Sequence, residues 1–321
     1  CNALNTLAIT YCNEFELKAA EEIYHRSLEI AETISFSQVI GYVIWNLLIA
    51  VYHPRGEHEA GLQFLDEMLE EAIMRDDHFL IQMIPLWMSY VLLLLGQFEK
   101  TENKLMSLQP DLKESFSDSV YFFVLSRLSY VHLLTEQVDK AMTIRQEILK
   151  SVEITDIIDP YIARIAANLA DSSLQIGGKE IFEQGLFQIE SAMKFYSEIS
   201  DWVSLADSFT THAQLHLALF EINGDRTHLD HAYKSSSKAV QLPEKDVEAC
   251  RLDEYCYTHA RVLSALGRED EAEPYLRKAF DRVIQVANNT KDENLRRSWL
   301  ENVAIHREIL AEASSRGWLE D

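Results

Sequence analysis

The chain has 321 residues, and its 29 lysine and arginine residues stand against 52 aspartate and glutamate residues, for a formal net charge of −23. Hydrophobic residues make up 47% of it, so the chain can bury a core and is not a disordered acidic tail. The acidic balance argues against nucleic acid and against an anionic membrane surface as direct partners. With only 10 glycines and 6 prolines, there are few turns for a sandwich, a barrel or a glycine-rich phosphate loop, which favours an all-α protein.

The first 32 residues contain two apolar stripes at helical spacing. Leu4, Ala8 and Tyr11 lie on the first stripe, Ala20 and Tyr24 lie on the second, and a short polar break separates them. Small residues let two antiparallel helices approach closely, and large residues fill the space between them. The pattern resembles the tetratricopeptide repeat, which implies an array of helical pairs.

The small residue of the second stripe recurs along the chain. Ala20, Ala60, Ala141, Ala232 and Ala272 are separated by 40, 81, 91 and 40 residues, and each longer gap predicts one degenerate repeat. The mean step is about 42 residues, longer than the roughly 34 of the consensus repeat. We therefore predict a right-handed superhelical solenoid of about seven TPR-like helical pairs, closed by a C-terminal capping pair of helices. The predicted repeats are residues 1–34, 36–75, 78–115, 117–157, 159–200, 201–242 and 244–290, and the predicted cap is 291–321.

The rare glycines and prolines fall where helices must begin or end. Gly96, Gly224 and Gly267 each follow an apolar helical pattern, at the place where a helix ends in a left-handed residue. Asp159 precedes Pro160, which predicts an N-cap followed by proline at the first helical position.

A second resemblance lies near the C-terminus, where residues 294–311 read NLRRSWLENVAIHREILA. This stretch is similar to the phrase that closes the repeat arrays of bacterial STAND-type signalling ATPases, including regulators of the maltose-activator kind. The resemblance implies that a nucleotide-binding domain lies upstream, and that the repeats are a sensor that keeps this NTPase off. The chain also begins inside a helical pattern without a methionine, so we expect a fragment of a longer protein. The residues that fit the phrase are Leu295, Arg296, Trp299, Leu300, Asn302, Val303, His306, Arg307 and Ile309.

Motifs of catalysis are absent from the sequence. It has no G-x-x-x-x-G-K-[ST], no G-x-G-x-x-G, no H-E-x-x-H, no C-x-x-C and no G-x-S-x-G. We therefore expect a non-catalytic chain without a cofactor, with any NTPase or effector lying outside it.

Four histidines are the one cluster that could bind a metal ion. His212 and His216 are four residues apart on one predicted helix, and His228 and His231 are three apart on the next. Antiparallel packing of these helices could gather the four imidazoles into a tetrahedral zinc site. Ordinary helix packing is the favoured interpretation, because His216 lies within an apolar stripe, and no metal is predicted.

The first helix of each TPR pair lines the concave face, so the consensus register predicts the groove. Its residues are aromatic and amide-rich with few cations, which suits a peptide backbone or a hydroxylated ligand. Packing between repeats is the alternative role for each aromatic side chain. The predicted groove residues are Asn2, Asn5, Tyr42, Trp45, Tyr52, Tyr90, Tyr130, Arg164, Asn168, Asp171, Tyr257 and Arg261.

Three functions are consistent with these features. The first is the sensor and autoinhibitory part of a STAND-type transcription regulator, with a protein, peptide or small-molecule inducer in the groove. The second is a stand-alone TPR adaptor or a receptor for a signalling peptide, and the third is an enzyme, which nothing in the sequence supports. No apolar run reaches the roughly 20 residues that span a bilayer. The sequence shows no signal-peptide pattern. Its four cysteines are Cys1, Cys12, Cys250 and Cys256. We expect free thiols and a cytoplasmic protein.

Overall fold

The computed structural model describes residues 2–13, 16–34, 36–115, 117–155, 157–242 and 251–318, without the side chains of residues 2, 12, 13 and 109–115. The described ranges are almost entirely helical and contain no β-strand, which confirms the predicted all-α class. The helices are α1 Asn2–Asn13, α2 Leu17–Thr33, α3 Ser37–Leu47, α4 His53–Arg55, α5 His58–Met74, α6 His78–Leu94, α7 Phe98–Ser115, α8 Asp118–Leu134, α9 Val138–Ser151, α10 Pro160–Ile176, α11 Lys179–Glu198, α12 Trp202–Asn223, α13 Arg226–Gln241, α14 Leu252–Ala265, α15 Glu269–Asn289, α16 Glu293–Glu301 and α17 Ala304–Ser315.

Successive helices pack as pairs, and the first helices of neighbouring pairs lie side by side. Helix α10 packs against its own partner α11 and also against α8 and α12, while α12 packs against α13 and α14. This arrangement is the TPR-like stacking of helical pairs that the repeat step predicts.

Small residues stand where paired helices approach most closely. Ala20, Ala141 and Ala232 are completely buried, in agreement with their predicted role. Ala60, by contrast, is exposed, and the buried small residue of that pair is Gly61, at which a Cβ atom would lie 3.1 Å from Leu48 Cδ1. The prediction is wrong by one residue, because a π-helical segment, Leu48–Tyr52, joins α3 to α4 and lengthens the preceding turn.

The predicted helix boundaries at the rare glycines and prolines are confirmed. Gly96, Gly224 and Gly267 have φ angles of 70°, 69° and 75°, in the left-handed region that ends a helix. Asp159 Oδ1 accepts a hydrogen bond of 2.7 Å from the Tyr161 backbone N–H, which caps α10.

The chain divides into two compact units. Unit 1 consists of the described parts of Cys1–Leu108 and Ile284–Ala304. Unit 2 consists of the described parts of Gln109–Lys245, Arg251–Val283 and Ile305–Asp321. The two helices of the predicted cap therefore belong to different units, α16 to unit 1 and α17 to unit 2.

Within unit 1, α16 packs against the turns that precede α5 and α7. Trp299 is buried, and its ring lies 5.6 Å from that of His58. Ser298 Oγ donates to the Leu95 carbonyl oxygen at 2.6 Å, and Gln97 Nε2 donates to Ser298 Oγ at 2.6 Å. These contacts give Ser298 and Trp299 a packing role, whereas Arg296 and Arg297 on the same helix are exposed.

Within unit 2, α17 is held by a buried hydrogen-bonded pair and an aromatic contact. His306 Nε2 lies 2.8 Å from Asp253 Oδ2 on α14. The ring of Trp318, just after α17, lies 6.1 Å from that of Phe280 on α15. Cys256 on α14 is buried, and the side chains of Cys1, Cys12 and Cys250 lie outside the described residues.

Candidate binding surface

Polar side chains join the first helices of neighbouring pairs at nearly constant sequence separation. Asn46 Nδ2 donates to Asn5 Oδ1 at 3.0 Å, across 41 residues. Asn168 Nδ2 donates to Ser126 Oγ at 2.9 Å, across 42 residues. Thr211 Oγ1 donates to Asp171 Oδ1 at 2.6 Å, across 40 residues. The repeat step found in the sequence therefore sets the spacing of these lateral contacts.

In unit 1 the predicted groove residues form an aromatic surface. The Trp45 ring lies 6.0 Å from Trp87 and 5.8 Å from Tyr90, and Tyr90 lies 5.9 Å from His53. Tyr42 is exposed, whereas Asn5 is buried in its bond to Asn46. The side chain of Asn2 lies outside the described residues.

Tyr52 takes a different direction from Trp45, although seven residues separate the two. Its ring packs 5.6 Å from Phe64, on the second helix of the same pair. The π-helical segment ends at Tyr52 and rotates it away from the Trp45 face. Burial, and then the charges of Glu21 and Glu57, raise the pKa of its hydroxyl.

In unit 2 the first helices carry a group of ionisable side chains, which we call the Asp–Arg cluster: Asp171 on α10, Asp207 on α12, and Arg251 and Glu254 at the start of α14. Arg251 pairs with Glu254, and its Nη1 lies 3.9 Å from Asp207 Oδ1. Tyr255 donates from its hydroxyl to Asp207 Oδ1 at 2.5 Å. Distant parts of the sequence thus bring three carboxylates to one guanidinium.

The Asp–Arg cluster contains more carboxylates than guanidinium groups and is partly exposed. Three carboxylates and one guanidinium sum to −2 when all are ionised. The side chains of Asp207, Arg251 and Glu254 are 31%, 28% and 14% exposed, so the cluster is accessible without being freely solvated. Such a site favours a cationic group, because partial burial strengthens its attraction to the excess anionic charge.

Burial also changes the acidity of the cluster. It raises the pKa of Asp171 to about 6, against the opposing charge of Arg251 and the hydrogen bond from Thr211. Burial raises the pKa of Asp207 in the same way. Burial lowers the pKa of Arg251, but Glu254, Asp207 and Asp171 together outweigh it and hold the pKa well above its ordinary value. Arg251 therefore stays charged, and Asp171 titrates near neutral pH.

The other predicted groove residues of unit 2 differ in their surroundings. Tyr130 is partly buried. Burial, and then the charges of Asp171 and Glu254, raise the pKa of its hydroxyl. Arg164 is partly exposed on α10, one turn before Asn168. Burial, and then the charge of Glu308, raise the pKa of Tyr257 to about 12. Arg261 is exposed and paired with Glu221 at 3.2 Å.

The sequence prediction missed Asp207, Arg251 and Glu254, because isolated charges on amphipathic helices resemble a solvated face. The repeat step could have found part of the set. A step of 40 residues from Asp171 leads to Thr211, and a step of 40 from Gln214 leads to Glu254, to which Gln214 Nε2 donates at 3.1 Å.

The four histidines considered for a metal site do come together. His216 Nδ1 lies 2.9 Å from His228 Nδ1, and the His216 ring lies 4.5 Å from His212 and 4.9 Å from His231. Even so, no group of three or more metal-ligating side chains in the described part of the chain has an arrangement that could hold an ion. The absence of a metal stays a prediction, and so does the absence of a cofactor.

Comparisons with known proteins identify the repeat. Two segments, residues 1–35 and residues 253–282, match family models of the tetratricopeptide repeat. No curated protein matches the chain. Among solved structures, NprR in complex with its cognate peptide NprX matches with a TM-score of 0.49 and 14% identity over 99% of this chain and 84% of that one. The apo form of the quorum sensor NprR from B. thuringiensis matches with a TM-score of 0.42 and 16% identity, over 100% and 82%.

Length and hydropathy also bear on membranes. Among the described helices, none is both long and apolar enough to cross a bilayer.

Proposed function

We propose that the chain is a non-catalytic repeat domain that binds a protein or peptide segment along the first helices of unit 2. The observation that carries the proposal is the Asp–Arg cluster, in which Arg251 pairs with Glu254 and Asp207 and also interacts electrostatically with Asp171. A partner segment that presents a lysine, an arginine or a free amino terminus would neutralise the excess charge.

Two features of the surface support a peptide over a compact small molecule. The lateral contacts run from α8 to α14, so the polar surface extends across several repeats. Amide and hydroxyl side chains such as Asn168 and Gln214 occur along it, and these groups can bond both donors and acceptors of a peptide backbone. An extended segment could contact several helices at once.

The experiment begins with selection of 12-residue peptides from a random display library on the immobilised chain. We expect enrichment of lysine and arginine, and a cationic peptide taken from the selection serves as the probe. Asp207→Asn and Glu254→Gln keep the hydrogen-bond acceptors but remove a charge, and each should weaken its binding about tenfold in calorimetry. Glu147→Gln, at an exposed residue of the second helix α9, is the control and should change binding less than twofold. Selection of acidic or purely apolar peptides, or equal effects of all three variants, would refute the proposal.

A narrower version places this domain in a larger protein. The resemblance of residues 294–311 to the closing phrase of STAND arrays supports a sensor and autoinhibitory role in an NTPase regulator of transcription. The contacts of Ser298 and Trp299 give part of that phrase a packing role. A P-loop domain encoded upstream in the gene would support the regulator, and its absence would favour the stand-alone adaptor or signalling-peptide receptor.

A further inference from the structure

Helix α13, Arg226–Gln241, packs between α12 and α14 and is held on both sides by the same kind of contact. Ser235 Oγ lies 2.9 Å from Nδ1 of His212 on α12. Ser236 Oγ lies 2.9 Å from Nδ1 of His259 on α14. All four side chains are buried. Two adjacent serines thus bind two buried imidazoles that belong to different helices.

A third contact of α13 also depends on imidazole nitrogens. His216 on α12 is buried, and its Nδ1 lies 2.9 Å from Nδ1 of His228 on α13. This hydrogen bond needs one nitrogen to carry a proton and the other to accept it. With both rings protonated, two N–H groups face each other without an acceptor. The contact therefore tolerates at most one charge.

Among the described residues, few opposite charges lie close enough to stabilise protonated rings here. Glu190 Oε1 on α11 lies 3.5 Å from His212 Nε2, but its side chain is 61% exposed. Burial outweighs these charges: it lowers the pKa of His212, lowers that of His216 to about 3, and lowers that of His259 to about 4. The charges of Glu190, His231 and Lys238 act on His212, and those of His212, His231 and His228 act on His216. The charges of Arg268 and Glu271 act on His259. Asp225 interacts with His228.

We propose that α13 is an acid-released helix, whose packing between α12 and α14 requires His212, His216 and His259 to be neutral. Helices α12 and α14 also carry Asp207 and Glu254. If the proposed function holds, acidification therefore loosens the packing of the two helices that carry Asp207 and Glu254.

The direction of the effect follows from proton linkage. An imidazole released from the fold regains a pKa of about 6.5, so the opened state binds more protons than the packed state below that pH. Stability of the packed helix is complete above about pH 6.5 and decreases as the pH falls towards the native pKa values. With native values of about 3 and about 4, His216 and His259 each increase the opening equilibrium on the order of 20-fold between pH 7 and pH 5.

Amide hydrogen exchange of the full chain, without any ligand, measures this opening directly. After correction for intrinsic exchange rates, we expect α13 to open more than 100-fold more often at pH 5 than at pH 7. Helix α9 contains no histidine and is the internal reference. If α13 and α9 respond equally to acid, the proposal is wrong. Because no ligand is present, the result does not depend on whether the Asp–Arg cluster binds a peptide.

Variants assign the effect to the histidines. Asparagine can mimic the Nδ1 contact of histidine without titrating, so a double variant with His216→Asn and His259→Asn should lose most of the acid response of α13. His78→Asn, at a side chain that is 84% exposed, is the matched control and should keep it. Retention of the full response in the double variant would overturn the proposal. If that variant fails to fold at pH 7, NMR titration of the wild-type imidazole Hε1 signals replaces it. Native buried rings that titrate below pH 5 support the proposal, and rings that titrate near 6.5 contradict it.

Discussion

Asn302 donates a hydrogen bond of 2.9 Å from its Nδ2 to the carbonyl oxygen of Gly96, a residue 206 positions earlier in the chain. The bond lies within unit 1 and holds the end of α16 against the turn between α6 and α7. Gly96 also has a φ of +70°, and a Cβ atom there would lie 2.7 Å from the Ser298 carbonyl oxygen. The turn thus needs glycine for its backbone conformation and again for the approach of α16.

This double requirement predicts the cost of an added methyl group. Gly96→Ala should reduce the free energy of unfolding by about 3 kcal/mol, because left-handed strain adds to a clash with backbone atoms. Gly224→Ala is the matched control, since its φ is +69° but nothing lies within 4 Å of the position that the added methyl group would take; it should cost only about 1 kcal/mol. Urea denaturation followed by circular dichroism measures both. Equal losses would mean that α16 does not restrict the turn.

The repeat architecture could be predicted from the sequence because it depends on local patterns. Helical periodicity and left-handed glycines are encoded within a few residues of the positions they control. The one-residue error at Ala60 has a local cause as well, the π-helical segment Leu48–Tyr52, which no periodicity rule anticipates. Apolar spacing is therefore reliable for the step but not for the register after such an insertion.

The candidate surface was harder to predict because its chemistry depends on distant residues. Tyr130, Asn168 and Asp171 do lie on first helices, but Asp207 and Glu254 looked like ordinary surface charges. They form a charged cluster only through Arg251, and Arg251 contacts them only after α10, α12 and α14 have packed together. Single-helix patterns do not carry that information.

The buried pair of His306 and Asp253 predicts a large loss of stability when one member is removed. Burial raises the pKa of Asp253, but the hydrogen bond and charge of His306 outweigh it, so the pKa is lowered. His306→Ala should cost about 3 kcal/mol because it leaves a buried carboxylate with less compensation. Arg261→Ala, which breaks the exposed pair with Glu221 at 3.2 Å, should cost less than about 1 kcal/mol. Thermal unfolding compares the two.

The same pair predicts a pH window. A carboxyl group with a lowered native pKa stabilises the fold above its unfolded value of about 3.9 and loses this contribution as the pH falls through the native value. The difference in unfolding free energy between the wild type and Asp253→Asn should therefore be constant near pH 6 and shrink below about pH 4. A difference that grows on acidification would contradict the assignment of a lowered pKa.

Arg145 on α9 is a buried guanidinium whose contacts are to neutral acceptors. It donates to the Leu169 carbonyl oxygen at 2.7 Å and to Ser173 Oγ at 3.1 Å, and burial lowers its pKa to about 10. Arg145→Ala should cost about 3 kcal/mol, because it leaves a cavity between α9 and α10 and breaks three hydrogen bonds, the third of them to Gln188 Oε1 at 3.4 Å. Arg145→Met fills most of the space and should recover at least half of the loss. No recovery in urea denaturation would show that the guanidinium and its hydrogen bonds, not the packing, stabilise this contact.

We predict that the ionised Asp171 side chain lowers the stability of the fold and strengthens the binding of a cationic peptide. Its pKa is raised to about 6, so the carboxylate is destabilising at pH 7, where it is forced to ionise in a buried position. Asp171→Asn keeps an acceptor for Thr211 and removes the charge, so it should raise the unfolding free energy at pH 7 by about 1 to 3 kcal/mol. That gain should shrink as the pH falls below about 6 and should disappear only below about pH 4, where the side chain is protonated in the unfolded chain as well.

The effect of Asp171→Asn on peptide affinity should be opposite to its effect on stability. Loss of the Asp171 charge should weaken the cationic probe peptide several-fold at pH 7, and the wild type should show the same weakening as the pH falls through about 6. The asparagine of the Asp171→Asn variant cannot titrate, so the affinity of this variant should vary less between pH 7 and pH 5.5 than that of the wild type. The pH range stops at 5.5 to limit the release of α13, which both proteins share. A variant that is less stable than the wild type at pH 7, yet binds the peptide unchanged, would place Asp171 among the packing residues and outside the binding surface.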